Sequence, residues 1–120
     1  MKFQIGDIVE VADIGNTYTS YDQMADWVGL TNYRHECAEY KKFYRIVGMK
    51  THELGYGIVV GIVDTNGNGY LVGEKGLDLV NHGKFREGDV IEIDGEQLVV
   101  ELEIPFNEDD AKLISRKQLI

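Results

Sequence analysis

A single cysteine, Cys37, and only three histidines occur in the chain. One thiol excludes an intrachain disulfide, so the fold must rest on its core, and a reducing, cytoplasmic setting fits that usage. His35, Cys37, His52 and His82 are the only soft metal ligands. His35-x-Cys37 offers two zinc ligands, but no second close pair completes a tetrahedral set. Basic residues are scarce too: 12 Lys and Arg stand against 21 Asp and Glu, a formal net charge of −9. That field works against non-specific binding to nucleic acid or anionic membrane and suits a basic protein partner. No long apolar run is present, so no membrane span is expected, and residues 1–7 lack the hydrophobic region of a signal peptide. The localisation expected is the cytoplasm.

What the sequence does contain is an internal echo. Residues 2–11 read Lys-Phe-Gln-Ile-Gly-Asp-Ile-Val-Glu-Val, and residues 84–93 read Lys-Phe-Arg-Glu-Gly-Asp-Val-Ile-Glu-Ile. Both follow Lys-Phe-x-x-Gly-Asp-apolar-apolar-Glu-apolar: a Gly-Asp turn, then β-branched residues starting a strand. Tyr70–Val80 has a shorter counterpart in Ala111–Ile120. Asp7 and Asp89 recur with Glu10 and Glu92. Aspartate after glycine at a turn accepts backbone N–H bonds, so these acids read as scaffold, not as an acid–base pair. The chain is long enough to bury roughly two-thirds of its extended surface, in one good core or two small abutting ones.

Between the echoes, residues 15–44 have no equivalent in the second half and read as an insertion. Ser20 is placed to cap a short helix, with Gln23 at capping-box spacing. Apolar residues at 21, 24, 27 and 28 form a helical stripe, and Gly29 ends it. Met24 and Trp27 are expected to face inward. Tyr18, Tyr21, Trp27, Tyr33, Tyr40, Phe43 and Tyr44 make the insertion dense in aromatics, which suits either a binding surface or a second small core. Residues 30–44 read as an irregular loop with a further helical turn, in which Cys37 is a small filler facing the barrel.

Strand signals return at 45–50, with a turn at 51–55, and again at 56–63 and 70–72. Gly57 and Gly61 suggest a bulge or a barrel corner. Residues 73–80 read as a short helical turn and a closing strand. Asp94-Gly95 is a strong hairpin signal, followed by a strand over 97–104 that begins buried on both faces. Residues 105–110 form an acidic exposed loop, and Ile120 suggests a terminus pinned to the fold.

The start Phe3-x-x-Gly6-Asp7-x-Val9-x-Val11, then Gly57–Val60, Tyr70–Val72 and Leu77-x-Leu79-Val80, resembles the SH3-like (KOW-type) barrels. Tyr18-Thr19-Ser20-Tyr21, Trp27 and Gly29-Leu30 are similar to a segment of small uncharacterised bacteriophage proteins. The resemblance implies a mostly β fold: an SH3-like barrel unit over 1–83 with a helical insertion at 15–44, and a second, smaller related β-unit over 84–120 packed on it. It also implies binding to RNA or ribosomal proteins through basic loops, whereas the loops here are largely acidic. If phage-encoded, the protein would act in a host cytoplasm.

Asp64-Thr65-Asn66-Gly67-Asn68-Gly69-Tyr70 is spaced like a calcium loop, with Asp64, Asn66, Asn68, Tyr70 and Glu74 as the ligand set; Glu74 falls one place short of the bidentate position, and a hairpin loop explains the same residues. No other cofactor is expected. No nucleophile–base set can be drawn, so no enzyme is expected. The leading expectation is a protein-binding module using Tyr18, Tyr21, Asp22, Asp26, Trp27, Tyr33, Glu36 and Tyr40, directed at a host protein in the phage reading. The alternative is a nucleic-acid-binding module using Lys41, Lys42, Arg45 and Lys50, and a further one is a homo-oligomeric structural subunit.

Overall fold

The computed structural model describes residues 3–52, 55, 57–102 and 106–116. Among the described residues, nine strands form two sheets, accompanied by one α-helix. In chain order these are β1 (Ile8–Val11), β2 (Thr17–Tyr18), α1 (Asp22–Val28), β3 (Phe43–His52), β4 (Gly57–Val63), β5 (Gly69–Gly73), β6 (Leu77–Asn81), β7 (Val90–Ile93), β8 (Glu96–Val99) and β9 (Lys112–Ser115). The larger sheet is ordered β2-β5-β4-β3-β1-β6, and the smaller β8-β7-β9.

One face of the larger sheet encloses a core of Phe3, Val9, Val11, Tyr44, Ile46, Val60, Ile62, Tyr70, Val72 and Leu77, with Ala38 from the insertion. The other face carries a second core, in which Met24, Ala25, Val28 and Leu30 pack on Val59 and Leu71. Central strands β4 and β5 are therefore buried on both faces. That is why they read as near-continuous apolar runs and not as alternating strands. The β3–β4 pairing shifts register between Ile46 and Gly48, leaving Val47 exposed. One extra residue reverses which face later side chains meet.

Glycine is what lets the insertion lie so close. Gly48 and Gly61 are register partners on β3 and β4. A Cβ on Gly48 would sit 1.8 Å from the Val28 carbonyl oxygen, and one on Gly61 would sit 2.9 Å from the Val28 side chain. Gly61 thus lies opposite the bulge in β3, as the sequence suggested, and is also a landing point for the end of α1.

The two echoes fold alike, bond for bond. Gly6 N–H donates to the Ile46 carbonyl at 2.8 Å, and Ile46 N–H donates back to Asp7 at 2.9 Å. Gly88 N–H donates to Val100 at 2.9 Å, and Val100 N–H donates back to Asp89 at 2.8 Å. Each aspartate closes its turn by accepting from the residue three before it, Gln4 or Arg86, at 2.9 Å. Gly6 and Gly88 hold φ of 97° and 90°, a region glycine enters without cost. β1 lies between β3 and β6 as β7 lies between β8 and β9, and both closing strands slip register at the equivalent place.

Several sequence expectations need correction. Ser20 does not cap α1: Tyr21 occupies the cap position without a side-chain bond. Trp27 is 40 % exposed while Ala25 is buried, because the packed stripe runs through 24, 25 and 28. Cys37 is exposed; its neighbour Ala38 fills the core. Thr17–Tyr18 pairs with β5 as a strand of the sheet, so the true insertion begins after it, and residues 30–42 hold isolated bridges in place of a helical turn. β3 runs on to His52, through the start of the expected turn. β8 ends at Val99 and is exposed throughout, not buried on both faces. The acidic loop contains a 3₁₀ turn, Glu108–Asp110, whose Glu108 is buried. Gly29 at φ 89°, the 3₁₀ turn before β6 and the Asp94-Gly95 hairpin are as the sequence indicates. The expectations for Ile104 and Ile120 lie outside the described residues.

Candidate interaction surface

α1 is held from beneath by Met24, Ala25 and Val28, so its other face is presented to solvent on a fixed base. Asp22, Gln23, Asp26 and Trp27 occupy that face, with Tyr21 at its start. Helix spacing forces this: residues 24, 25 and 28 take the inner stripe, and 22, 23, 26 and 27 take what remains. Tyr21 and Trp27 are each 40 % exposed.

At the start of α1, three tyrosines interlock. The Tyr33 hydroxyl donates to the Tyr18 carbonyl at 2.6 Å and accepts from Tyr21 N–H at 3.3 Å. The Tyr18 and Tyr21 rings meet edge to face at 5.6 Å. Burial raises the Tyr33 pKa, with Asp22 adding to the effect and the Tyr21 bond opposing it. His35 stacks at a tilt on Tyr33, 4.8 Å between centroids, and its Nε2 lies 2.8 Å from Asp22 Oδ1. Tyr18 and Tyr33 are half-buried against the second core, so they shape the surface from below. At the other end of α1, the Lys50 ammonium sits 5.3 Å from the centre of the Trp27 ring, and His52 meets that ring edge-on at 6.0 Å.

The expected protein-binding residues thus divide. Tyr21, Asp22, Asp26 and Trp27 share the exposed side of α1, while Tyr18 and Tyr33 brace it. Glu36 is exposed and pairs with Arg34 at 3.5 Å. Tyr40 stands apart; its hydroxyl accepts from Ile14 N–H at 3.2 Å, and its backbone bridges Val11. Sequence reasoning missed His35 and His52 as neighbours of this surface. Its place two residues after Lys50, on the same strand face, was the signal for His52, and nothing local flagged the Asp22–His35 pair.

Of the basic residues of the nucleic-acid alternative, Lys41 and Lys42 border one open surface hollow, while Arg45 and Lys50 lie along β3. Lys42 lies 3.5 Å from Asp64 and over the Tyr44 ring. Burial would lower its pKa, but the charges on Tyr44, Asp64 and Glu39 outweigh that and raise it. Arg45 donates to the Gly6 carbonyl and pairs with Glu87. Lys50 is five residues beyond Arg45 on β3, roughly 15 Å along the strand at about 3.3 Å per residue.

The loop after β4 is closed by its own bonds. Asp64 is buried, and its Oδ1 accepts from Asn66 N–H and Asn68 N–H, both at 2.9 Å. Its Oδ2 lies 3.2 Å from the Asn68 amide and near Lys42. Burial pushes the Asp64 pKa up, yet these donors and Lys42 carry it below the usual carboxylate value. Asp64, the first residue of the calcium-like spacing, organises the turn of the hairpin. Among the described residues, no group of three His, Cys, Asp or Glu is placed to hold a metal ion. The cleft between the two β-units, lined by Ile8, Arg45, Phe85 and Phe106 among others, holds about 20 Å³, room for one water. No helix among the described residues is long and apolar enough to cross a membrane.

No protein-family model, curated protein or solved structure matches the chain. No homology therefore ties it to the SH3-like or KOW-type barrels or to bacteriophage proteins. What stands is the architecture: a small, mostly β domain with a curled six-stranded sheet, one inserted helix and a smaller three-stranded sheet near it.

Proposed function

We propose that the protein is a binding module that engages another protein through the solvent face of α1, with Tyr21 and Trp27 as aromatic anchors and Asp22 and Asp26 as flanking charges. The observation that carries this is the exposure of both large aromatics on a helix whose opposite face is locked into a core. Rigid aromatic side chains on a fixed base lose little entropy on binding, which is the usual make-up of an interface hot spot. The net charge of −9 directs the surface toward a basic partner and makes association faster at low salt.

The test is affinity capture followed by measured binding, comparing the wild type with Tyr21→Ala/Trp27→Ala. Both side chains are exposed enough for the fold to survive, as near-ultraviolet circular dichroism would verify. The expected result is loss of partner recovery and at least a tenfold weaker Kd. Equal recovery by both proteins would sink the proposal. Deletion of the whole insertion is the poorer test, since it also removes Leu30 and Ala38 from the cores.

A further inference from the structure

The second β-unit repeats the first only up to a point. Register equates β7 with β1, β8 with β3 and β9 with β6. In the first unit, β4 pairs with the outer edge of β3 from Arg45, the counterpart of Val99, opposite Val63 to His52 opposite Gly57. In the second, no strand among the described residues pairs with the outer edge of β8. Leu98 occupies the place of Tyr44, yet Tyr44 is fully buried and Leu98 is 44 % exposed; Val99 beside it is 57 % exposed.

The hairpin geometry says which backbone groups point outward. Asp94 and Gly95 both have positive φ, 52° and 84°, the two-residue turn that hydrogen-bonds its flanking pair, Ile93 and Glu96. Antiparallel pairs alternate, so Ile91 and Leu98 also face inward, while Gln97 and Val99 turn their N–H and C=O groups away from β7.

We propose that the edge of β8 left unpaired among the described residues is a strand-addition site for an extended, basic segment of a partner protein. This surface lies on the other unit from α1 and stands independently of the reading given to that helix. The first unit supplies a template for the Val99 end of this edge, since β4 pairs antiparallel with β3 from the counterpart of Val99 onward. Charge selects the occupant. Asp94, Glu96 and Glu101 are exposed at and around the strand and outside the ion pairs found among the described residues. The nearby Lys112 is opposite Glu92, and Arg116 is bound to Asp89. A second copy would bring the same acids to the edge; a basic segment neutralises them. An antiparallel segment lying beside residues 101 to 96 meets, in turn, Glu101, Val100, Val99, Leu98, Gln97 and Glu96. The complementary pattern is therefore basic-x-apolar-apolar-x-basic.

The probe is an end-blocked peptide with the core Lys-Thr-Val-Ile-Thr-Lys, titrated into the full-length ¹⁵N-labelled protein and followed by amide chemical shifts. Shifts concentrated at residues 96–99 are expected, with at least tenfold weaker binding when both lysines of the peptide are replaced by glutamate. Val99→Pro removes one outward N–H and is the kind of change an edge strand tolerates; it should weaken the peptide at least tenfold. Val99→Lys keeps the N–H and the fold and should weaken it by repulsion, which decides the matter if the proline variant does not fold. Absence of shifts at 96–99, equal binding of the glutamate peptide, or unchanged binding to the folded Val99 variants overturns the proposal. So does concentration-dependent self-association abolished at Val99, which would assign the edge to a second copy.

Discussion

Asp7 and Asp89 are buried at matching places in the two units but have different side-chain partners. Arg116 grips Asp89 through Nε at 3.1 Å and Nη2 at 2.9 Å. His82, in the equivalent position after its closing strand, only approaches Asp7, at 3.4 Å from Nδ1 to Oδ1. His82→Arg should transplant the stronger pair into the first unit and raise Tm by a few degrees at pH 8, measurable by calorimetry. The bond from Arg116 is the main cause that holds the Asp89 pKa below the usual carboxylate range, with the Arg86 amide assisting. Asp64 is depressed as well, its loop donors overcoming burial. For a carboxylate depressed in the folded state, the stabilisation is fully present above the unfolded pKa, about 4, and is lost as pH falls through the folded value. Denaturant titrations from pH 7 to pH 2 should show stability falling below about pH 4. Asp64→Asn/Asp89→Asn should flatten that fall while costing about 2 to 4 kcal/mol at pH 7, since hydrogen bonds to charged groups contribute roughly 1.5–3 kcal/mol each.

Elements were legible where their pattern answered to local rules. The opening turns, the Asp94-Gly95 hairpin and the glycine end of α1 follow from residues within four positions of one another. Which side of α1 is buried did not, because Met24, Trp27 and Val28 fit a helical stripe as well as Met24, Ala25 and Val28 do. The choice was made by Gly48 and Gly61, twenty and more residues away, which open the sheet under Val28 and Leu30. Likewise, nothing in Gln97-Leu98-Val99-Val100 reports that the covering strands of the first unit have no described counterpart in the second. Gly48→Ala tests the first point: its Cβ would meet backbone at 1.8 Å, so α1 must shift. Such overpacking costs on the order of 1–3 kcal/mol or more, read by denaturation, with a change in Trp27 fluorescence as the helix moves. The second point predicts unequal partners: Tyr44→Ala should cost about 3–5 kcal/mol as a buried aromatic, and Leu98→Ala under about 1 kcal/mol because half its surface is already wet. The candidate site was legible as residue types and a segment; its division into anchors and braces required knowing the second core.

At the scale of the whole molecule, the two units are joined through backbone and not by a flexible linker. Buried Glu108 in the second unit accepts from His82 N–H and Lys84 N–H, both at 3.1 Å, across the connector. Arg45 ties the Gly6 carbonyl to Glu87. Glu108→Ala should orphan both amides, lower stability by about 1–3 kcal/mol, and speed hydrogen exchange selectively at residues 82 and 84. The connector is also packed to its limit: a Cβ on Gly83 would come within 2.0 Å of the Gly6 carbonyl oxygen. The molecule measures 49 Å along its longest axis and 23 Å along its shortest. For a partner that engaged both α1 and β8, avidity should peak at one tether length and vanish for tethers too short to reach.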